Sequence, residues 1–192
     1  MLALSPRTVL LPIDVQAAFF DPAAPRLGHP ECEALGLALL AAWRRAGWPI
    51  IHVRHDSVED GSRLRPDQPG NALRPGFEPH VGEALVTKSV NSAFLNTDLD
   101  LRLKRLGADA IVTFGISTDM CVSTTVRTGS NMGWSMIVAG DACSAFDQPD
   151  LEGVLLPAEM IHRFHLATLR NEFAEVTTTA RILETVAAES GF

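Results

Sequence analysis

The sequence is poor in cysteine and contains neither basic blocks nor long apolar runs. Its three cysteines, Cys32, Cys121 and Cys143, form an odd and sparse set, which predicts free thiols in a reducing compartment. No segment approaches the roughly 18 to 20 apolar residues of a membrane span, and residues 1–7 lack the features of a signal peptide. The net charge is −7. We therefore expect a cytoplasmic protein that binds neither nucleic acid nor membranes.

The remaining composition is that of an ordinary globular protein. Apolar residues make up 46% and charged residues 20% of the chain, with 14 Gly and 12 Pro, which argues against disorder, collagen and coiled coils. No internal repeat or low-complexity tract is visible. We expect residues 1–192 to form a single domain, large enough to fold without a disulfide or metal.

Apolar strand-like runs alternate with helical patterns along the chain. The predicted strands cover residues 8–15, 49–55, 84–88, 110–115, 135–140 and 175–179, and helices fall at 31–46, 97–107, 119–131, 157–169 and from about 180 to 188. This alternation predicts an α/β fold of three α/β/α layers around a mainly parallel, six-stranded, Rossmann-like sheet. Pro12 interrupts the first run and predicts an edge strand or a bulge there.

The longest irregular stretch covers residues 56–80 and contains several prolines. A loop of this length in a compact domain is usually functional. Whether it is a lid or a subunit contact stays open at this level.

Reactive side chains follow four of the predicted strands. Asp14 ends the first strand, Arg54-His55-Asp56 the second and Lys88 the third, while Cys121 begins the helix after the fourth. Ligands of open α/β sheets bind beyond these carboxyl ends. A helix N-terminus and a nearby Lys88 predict a stabilised Cys121 thiolate, with Asp14 as its proton acceptor and free backbone N–H groups for an oxyanion.

Each residue also has a simpler interpretation. A cysteine after a buried strand is more often a small core residue, an aspartate there is usually a turn or cap residue, and a lysine at a strand end is usually solvated. Only their shared position at one sheet edge favours a catalytic site.

Four segments in this order resemble the isochorismatase-like cysteine hydrolases, which include nicotinamidases and N-carbamoylsarcosine amidohydrolases. The resemblance covers residues from Val9 to about Thr179. It is carried by Ile13-Asp14-Val15-Gln16 with Phe19-Phe20, by Lys88 with Ser92-Ala93-Phe94, by Gly115-Ile116-Ser117-Thr118-Asp119-Met120-Cys121-Val122, and by Asp141-Ala142-Cys143-Ser144.

The resemblance implies a catalytic triad of Asp14, Lys88 and Cys121. It also implies a cis peptide bond before Ser117 and an oxyanion hole made of the Ser117 and Cys121 N–H groups. The implied activity is hydrolysis of a C–N bond in a small amide, imide or ureido compound through a thioester. A homo-oligomer, dimer or tetramer, is implied as well.

The segment after the second strand departs from the nicotinamidases, which carry an Asp-x-His metal motif there. This chain has His52-Val53-Arg54-His55-Asp56 instead, so we expect no catalytic metal and no cofactor. Arg54 or His55 is expected to contact substrate, together with Phe19, Asn91 and Phe94, although the phenylalanines fit the core equally well.

Three other functions remain open, one of them a catalytically silent binding or assembly protein, since members of a fold need not keep its function. Isochorismatases that cleave a vinyl ether can lack the cysteine, so Cys121 favours C–N hydrolysis over that reaction. A thiol redox protein is the alternative in another class, but no Cys-x-x-Cys motif supports it. Cys32 and Cys143 are interpreted as structural, and His162 with His165 as a surface or interface pair.

Overall fold

A parallel six-stranded sheet with helices on both faces forms the body of the molecule. The structure is a computed structural model that describes residues 2–191. Its strands are β1 (Val9–Ile13), β2 (Ile51–His55), β3 (Ala84–Lys88), β4 (Ile111–Gly115), β5 (Met136–Ala139), β6 (Gln148–Pro149), β7 (Leu155–Leu156) and β8 (Glu175–Thr177). The main sheet has the order β3-β2-β1-β4-β5-β8, while β6 and β7 form a small hairpin that the sequence did not indicate. The predicted α/β fold is confirmed.

Five α-helices among the described residues flank this sheet. They are α1 (Cys32–Ala46), α2 (Leu99–Arg105), α3 (Ser123–Asn131), α4 (Ala158–Glu172) and α5 (Thr179–Ser190). Helix α1 packs against α5, and α3 packs against α4, as right-handed crossovers to either side of β1 require. None of the helices in residues 2–191 is long and apolar enough to cross a membrane.

Strand β1 lies in the middle of the sheet, so the edge position predicted from Pro12 is wrong. The N–H groups of Leu10 and Asp14 donate to Pro49 and Val53 on the β2 side, each at 3.0 Å. Pro12 falls between them on the same side, because alternate residues of a strand donate in the same direction. The sheet therefore loses one hydrogen bond towards β2, while β1 stays paired with β4 from Val9 to Ile13.

The core on both faces of the sheet is apolar and includes two of the three tryptophans. Trp43 is fully buried and donates from Nε1 to the Thr8 carbonyl at 3.0 Å. Trp48 packs edge-on against it at 5.5 Å. Cys32 and Cys143 are buried in the same interior, which confirms their interpretation as structural residues.

The strand order reverses between β1 and β4, and the two strands approach closely where they end. Gly115 lies opposite Ile13 with φ 141°, and a Cβ atom there would be 2.0 Å from the Ile13 carbonyl oxygen. Only glycine satisfies both conditions. The crevice at this reversal is where ligands bind in open α/β sheets.

We expect Gly115→Ala to destabilise the protein by roughly 4 kcal/mol or more, because the added methyl group collides with rigid backbone. Gly82→Ala is the matched control, since Gly82 also has a positive φ (93°) but nothing lies within 4 Å of its Cβ position. It should lose only about 1 to 2 kcal/mol from backbone strain. Urea unfolding measures the free energy of unfolding of both variants. Equal losses would show that the close approach of β1 and β4 at Gly115 does not require glycine.

Candidate active site

The carboxyl ends of β1, β2, β3 and β4 bring the candidate catalytic side chains together. Asp14 directly follows β1 with an unusual φ of 52°, and its N–H is held by the Val53 carbonyl at 3.0 Å. His55 and Lys88 are the last residues of β2 and β3 and lie opposite each other in the register. Cys121 lies in the turn after β4.

Asp14 and Lys88 form a buried ion pair. The Lys88 ammonium donates to Asp14 Oδ2 at 2.6 Å, and the two side chains are 0% and 1% exposed. Burial raises the pKa of Asp14, and the positive charge of Lys88 opposes that rise. The second oxygen, Asp14 Oδ1, is buried and has no hydrogen-bond partner, so one lone-pair face of the carboxylate remains available to a proton donor.

The Lys88 ammonium has two further contacts. It lies 3.2 Å from His55 Nδ1 and 3.3 Å from Cys121 Sγ. An ammonium group only donates, so His55 accepts at Nδ1 and carries its proton on Nε2. Burial and the Lys88 charge lower the pKa of His55, which keeps the ring neutral. All three ammonium hydrogens therefore have acceptors within the protein.

The Cys121 thiol is protonated in the free protein. Burial and the Asp14 carboxylate raise its pKa to about 12, and Lys88 only partly opposes them. Both causes act against the stabilised thiolate predicted from the sequence, because that reasoning counted Lys88 and the helix but not the desolvation of the sulfur. Attack by Sγ requires an acceptor for the thiol proton.

The turn between β4 and α3 holds Cys121 in a wide helical conformation. Residues Thr118–Val122 form a π-helical turn in which the Val122 N–H donates to the Ser117 carbonyl at 3.1 Å. The Ile116–Ser117 peptide bond is cis. Within residues 2–191 the Ser117 N–H donates to no protein acceptor. It is thus free to bind an oxygen atom beside Cys121.

A cavity of about 500 Å³ opens over these groups. Its lining combines the strand ends, the Cys121 turn and residues of the long loop. It is formed by Asp14, Phe19, His55, Ser57, Val58, Glu59, Ser62, Leu64, Ser89, Val90, Asn91, Ile116, Ser117, Met120, Cys121 and Phe146. This volume suits a small organic molecule.

Several expected substrate contacts are in this wall. Phe19 packs against Phe146 at 5.5 Å between ring centroids, and the two rings form an apolar side of the cavity. Asn91 Oδ1 accepts from the Cys121 thiol at 3.8 Å. His55 also lines the cavity.

Arg54 and Phe94, also expected to contact substrate, are not part of the wall. Neighbouring residues of a strand face opposite sides of the sheet, so Arg54 points away from the cavity that His55 faces. Its guanidinium binds Asp56 by two hydrogen bonds of 2.8 and 3.1 Å. Phe94 is 7% exposed in the core, where its ring packs over Gly129. Of the alternatives left open by the sequence, His55 rather than Arg54 lies at the cavity, and Phe94 belongs to the core.

The long loop is tied to the sheet by two side-chain amides that the sequence did not single out for a role. Gln16 donates to the carbonyls of His55 and Asn71 at 3.0 and 2.8 Å and accepts from the His55 N–H at 2.9 Å. Asn71 donates to His55, Asp56 and Leu64. The only sequence signal was that Gln16 belongs to the Asp14 segment.

Asp14, His55 and Cys121 are also close enough to ligate one metal ion, with ligand atoms within 4.8 Å of one another. The Lys88 ammonium already contacts all three groups. A divalent cation there would have to displace that positive charge, so these residues fit an ammonium group better than a metal.

His162 lies behind the Cys121 turn, and its expected surface position is wrong. Its ring is 4% exposed, contacts Thr118 Oγ1 through Nδ1 at 2.8 Å and stacks on His29 at 4.2 Å. Burial lowers the pKa of His162 to about 4. It therefore acts as a neutral packing and hydrogen-bonding partner of the turn.

Comparison with known proteins agrees with this geometry. Residues 8–181 match the model of the isochorismatase domain. The isochorismatase family protein YrdC of Bacillus subtilis is 34% identical, over 92% of this chain and 95% of its own. A crystal structure from Chromobacterium violaceum, described as of the isochorismatase family, has a TM-score of 0.93 at 40% identity and covers 98% of this chain and 97% of its own. A cysteine hydrolase from Pseudomonas syringae has a TM-score of 0.90 at 28% identity, with the same coverage.

Two more distant relatives have names that state a reaction. Streptothricin hydrolase of Streptomyces noursei is 32% identical over 84% of this chain and 64% of its own. Ureidoacrylate amidohydrolase of Methylorubrum extorquens is 28% identical over 77% of this chain and 74% of its own. The matched domain, the relatives and the solved structures agree, and the chain belongs to the isochorismatase family of hydrolases.

Proposed function

We propose that the protein hydrolyses a C–N bond of a small amide, imide or ureido compound through a thioester on Cys121. One observation carries this proposal. The sulfur of Cys121 lines the cavity, 3.3 Å from an ammonium group that holds Asp14 with one carboxylate oxygen unpaired. A nucleophile (Cys121) and its proton acceptor (Asp14) thus lie side by side, and the Lys88 ammonium contacts both.

In the first step the thiol proton passes to Asp14 Oδ1 while Sγ attacks the substrate carbonyl carbon. Because the pKa of Cys121 is raised to about 12, the proton must leave as the C–S bond forms rather than before it. The raised pKa of Asp14 suits this role, since a more basic carboxylate accepts the proton more readily.

The negative charge that develops on the carbonyl oxygen needs hydrogen-bond donors. We assign this role to the N–H groups of Ser117 and Cys121, because both residues line the cavity and the Ser117 N–H donates to no acceptor among residues 2–191. Donors fixed in this way stabilise the tetrahedral intermediate without reorganisation.

The second half of the reaction reverses the proton transfer. Asp14 returns its proton to the leaving nitrogen as the C–N bond breaks, and the amine or ammonia departs. Water then attacks the thioester, losing a proton to Asp14, and Cys121 recovers that proton when the acid leaves. Lys88 keeps its proton throughout and holds the Asp14 charge in place.

The names of two relatives support hydrolysis, one of streptothricin and one of ureidoacrylate. The redox alternative has less support. A redox-sensitive cysteine needs a low pKa and an accessible partner, whereas the pKa of Cys121 is high and the other two cysteines are buried.

Replacing the nucleophile gives the first test. Cys121→Ala and Cys121→Ser should each lower kcat at least about 1,000-fold, because no covalent intermediate can form at alanine and serine lacks the sulfur. Intact-protein mass spectrometry after incubation with a panel of amides should show an acyl group on Cys121 of the wild type alone. Cys32→Ala is the control and should retain activity, since Cys32 lies in α1 away from the cavity. Undiminished turnover by Cys121→Ala would refute the mechanism.

Asp14→Asn separates a proton acceptor from a merely structural residue. We expect kcat to fall at least about 100-fold, while iodoacetamide alkylates Cys121 faster, because the charge that raises the pKa of the thiol is gone. Loss of both activity and alkylation would contradict the assigned role. Should the unpaired Lys88 prevent folding, the double variant Asp14→Asn/Lys88→Met removes both buried charges and should still be inactive.

The pH dependence of alkylation tests the protonated resting state. With a Cys121 pKa of about 12, the thiolate fraction and hence the alkylation rate should rise about tenfold per pH unit between pH 7 and 9. Trypsin digestion and mass spectrometry locate the label. A rate that is already constant from pH 7 upwards would mean that the thiolate exists before substrate binds.

A further inference from the structure

The cavity offers no free positive charge to a substrate. Lys88 is the cation nearest the reacting atoms, and its three hydrogens are used by Asp14, His55 and Cys121. A lysine ammonium has no further donor. Lys88 itself is buried behind the wall, and no lysine or arginine in the described part of the chain lines the cavity; the His55 ring is neutral.

Arginines close to the cavity wall in sequence are already paired with acids. Arg54 binds Asp56 at 2.8 Å, Arg63 binds Asp21, and Arg65 lies at 3.3 Å from Asp60 and 3.4 Å from Asp67. A carboxylate on the substrate would therefore lose its water without gaining a cation, which is unfavourable.

Glu59 is the one acidic residue of the wall, apart from Asp14, and it is not neutralised. Its side chain lines the cavity from the long loop and is exposed. Among residues 2–191 its carboxylate takes part in no ion pair or hydrogen bond. The Glu59 N–H donates to Ser57 Oγ at 3.2 Å, which holds the local backbone. Because the Asp14–Lys88 pair is neutral as a whole, Glu59 sets the charge of the cavity.

Acids next to wall residues in the sequence add to the negative potential. Asp147 follows the wall residue Phe146 and shares the single guanidinium of Arg26 with Glu159, at 2.7 Å to each acid. Asp119, within the Cys121 turn, accepts a hydrogen bond from the neutral amide of Gln148 at 2.7 Å and has no ion pair within residues 2–191. With a net charge of −7 for the whole chain, the field favours approach of cations.

We propose that the substrate is a cationic amide, imide or ureide, and that Glu59 binds its positive group while the reacting carbonyl lies at Cys121. This inference rests on the proposed function and specifies its substrate class. The ammonium or guanidinium group of the substrate pairs with the Glu59 carboxylate at the mouth of the cavity. The neutral part of the substrate packs against Phe19 and Phe146. Amides that carry a carboxylate are disfavoured by the same charge.

The charge preference can be measured on Cys121 without any hydrolysis. The probes are two methanethiosulfonates of similar size, one with a trimethylammonioethyl group and one with a sulfonatoethyl group. Each forms a mixed disulfide with Sγ and releases methanesulfinate. The ratio of the cationic to the anionic rate, divided by the same ratio for 2-mercaptoethanol, reports the field of the cavity.

We expect this normalised ratio to exceed one in the wild type and to fall about 30-fold in Glu59→Gln, because one unit charge about 4 Å away in water changes each rate by a factor of about five to six, in opposite directions for the two probes. It should also shrink between 50 and 500 mM NaCl, because salt screens exposed charges. Glu189→Gln is the matched control, since Glu189 is exposed near the end of α5 and does not line the cavity. A ratio unchanged by Glu59→Gln would overturn the inference.

A second measurement separates this inference from the proposed function. Three amides with the same acyl group and a cationic, a neutral or a carboxylate side group are compared by kcat/KM. The cationic amide should be preferred, and Glu59→Gln should reduce its preference over the neutral amide about fivefold and over the carboxylate amide about 30-fold. Fastest turnover of the carboxylate amide would overturn the inference while leaving C–N hydrolysis intact. Absence of any acyl-enzyme would refute the function, and the thiosulfonate ratio would still decide the cavity's charge preference.

Discussion

The ion pair between Asp14 and Lys88 is the interaction on which the site depends. Removing two charges from water costs several kcal/mol for each ion, and burial of a lone carboxylate or ammonium would instead drive it to its neutral form. Here each ion offsets the cost for the other, and His55 and Cys121 satisfy the remaining hydrogens of the ammonium. The pair therefore keeps the Asp14 carboxylate charged and buried beside the Cys121 sulfur, with only one of its two oxygens bound by Lys88. A solvated aspartate would be a weaker base and a poorly fixed one.

Backbone topology, rather than side-chain packing, brings these groups to one place. Parallel strands end at the same sheet edge, and the order reverses between β1 and β4, which opens a crevice between Asp14 and the Cys121 turn. Gly115 lets the two strands approach at that point. Pro12 is tolerated in the central strand because the bonds of Leu10 and Asp14 on either side hold β1 to its neighbour.

Sequence patterns predicted the sheet and the convergence of Asp14, Lys88 and Cys121 at one of its edges, because strand ends are fixed by hydrophobic periodicity and short turns. They could not decide which of Arg54 and His55 faces the cavity, since that depends on the register between β2 and β3. The high pKa of Cys121 depends on burial that only the assembled fold creates. The wall between Ser57 and Leu64 is irregular, so no periodicity pointed to Glu59.

The attachment of that wall has an evolutionary consequence. Gln16 and Asn71 hold the long loop mainly through backbone carbonyl oxygens, groups that every amino acid possesses. The exposed side chains of Val58 and Glu59 can therefore change with little effect on how the segment is anchored, whereas Asp14, Lys88 and Cys121 belong to the sheet edge and to the turn after β4. Substitutions in this part of the wall can therefore change which compounds fit the cavity while the groups at the sheet edge keep their positions.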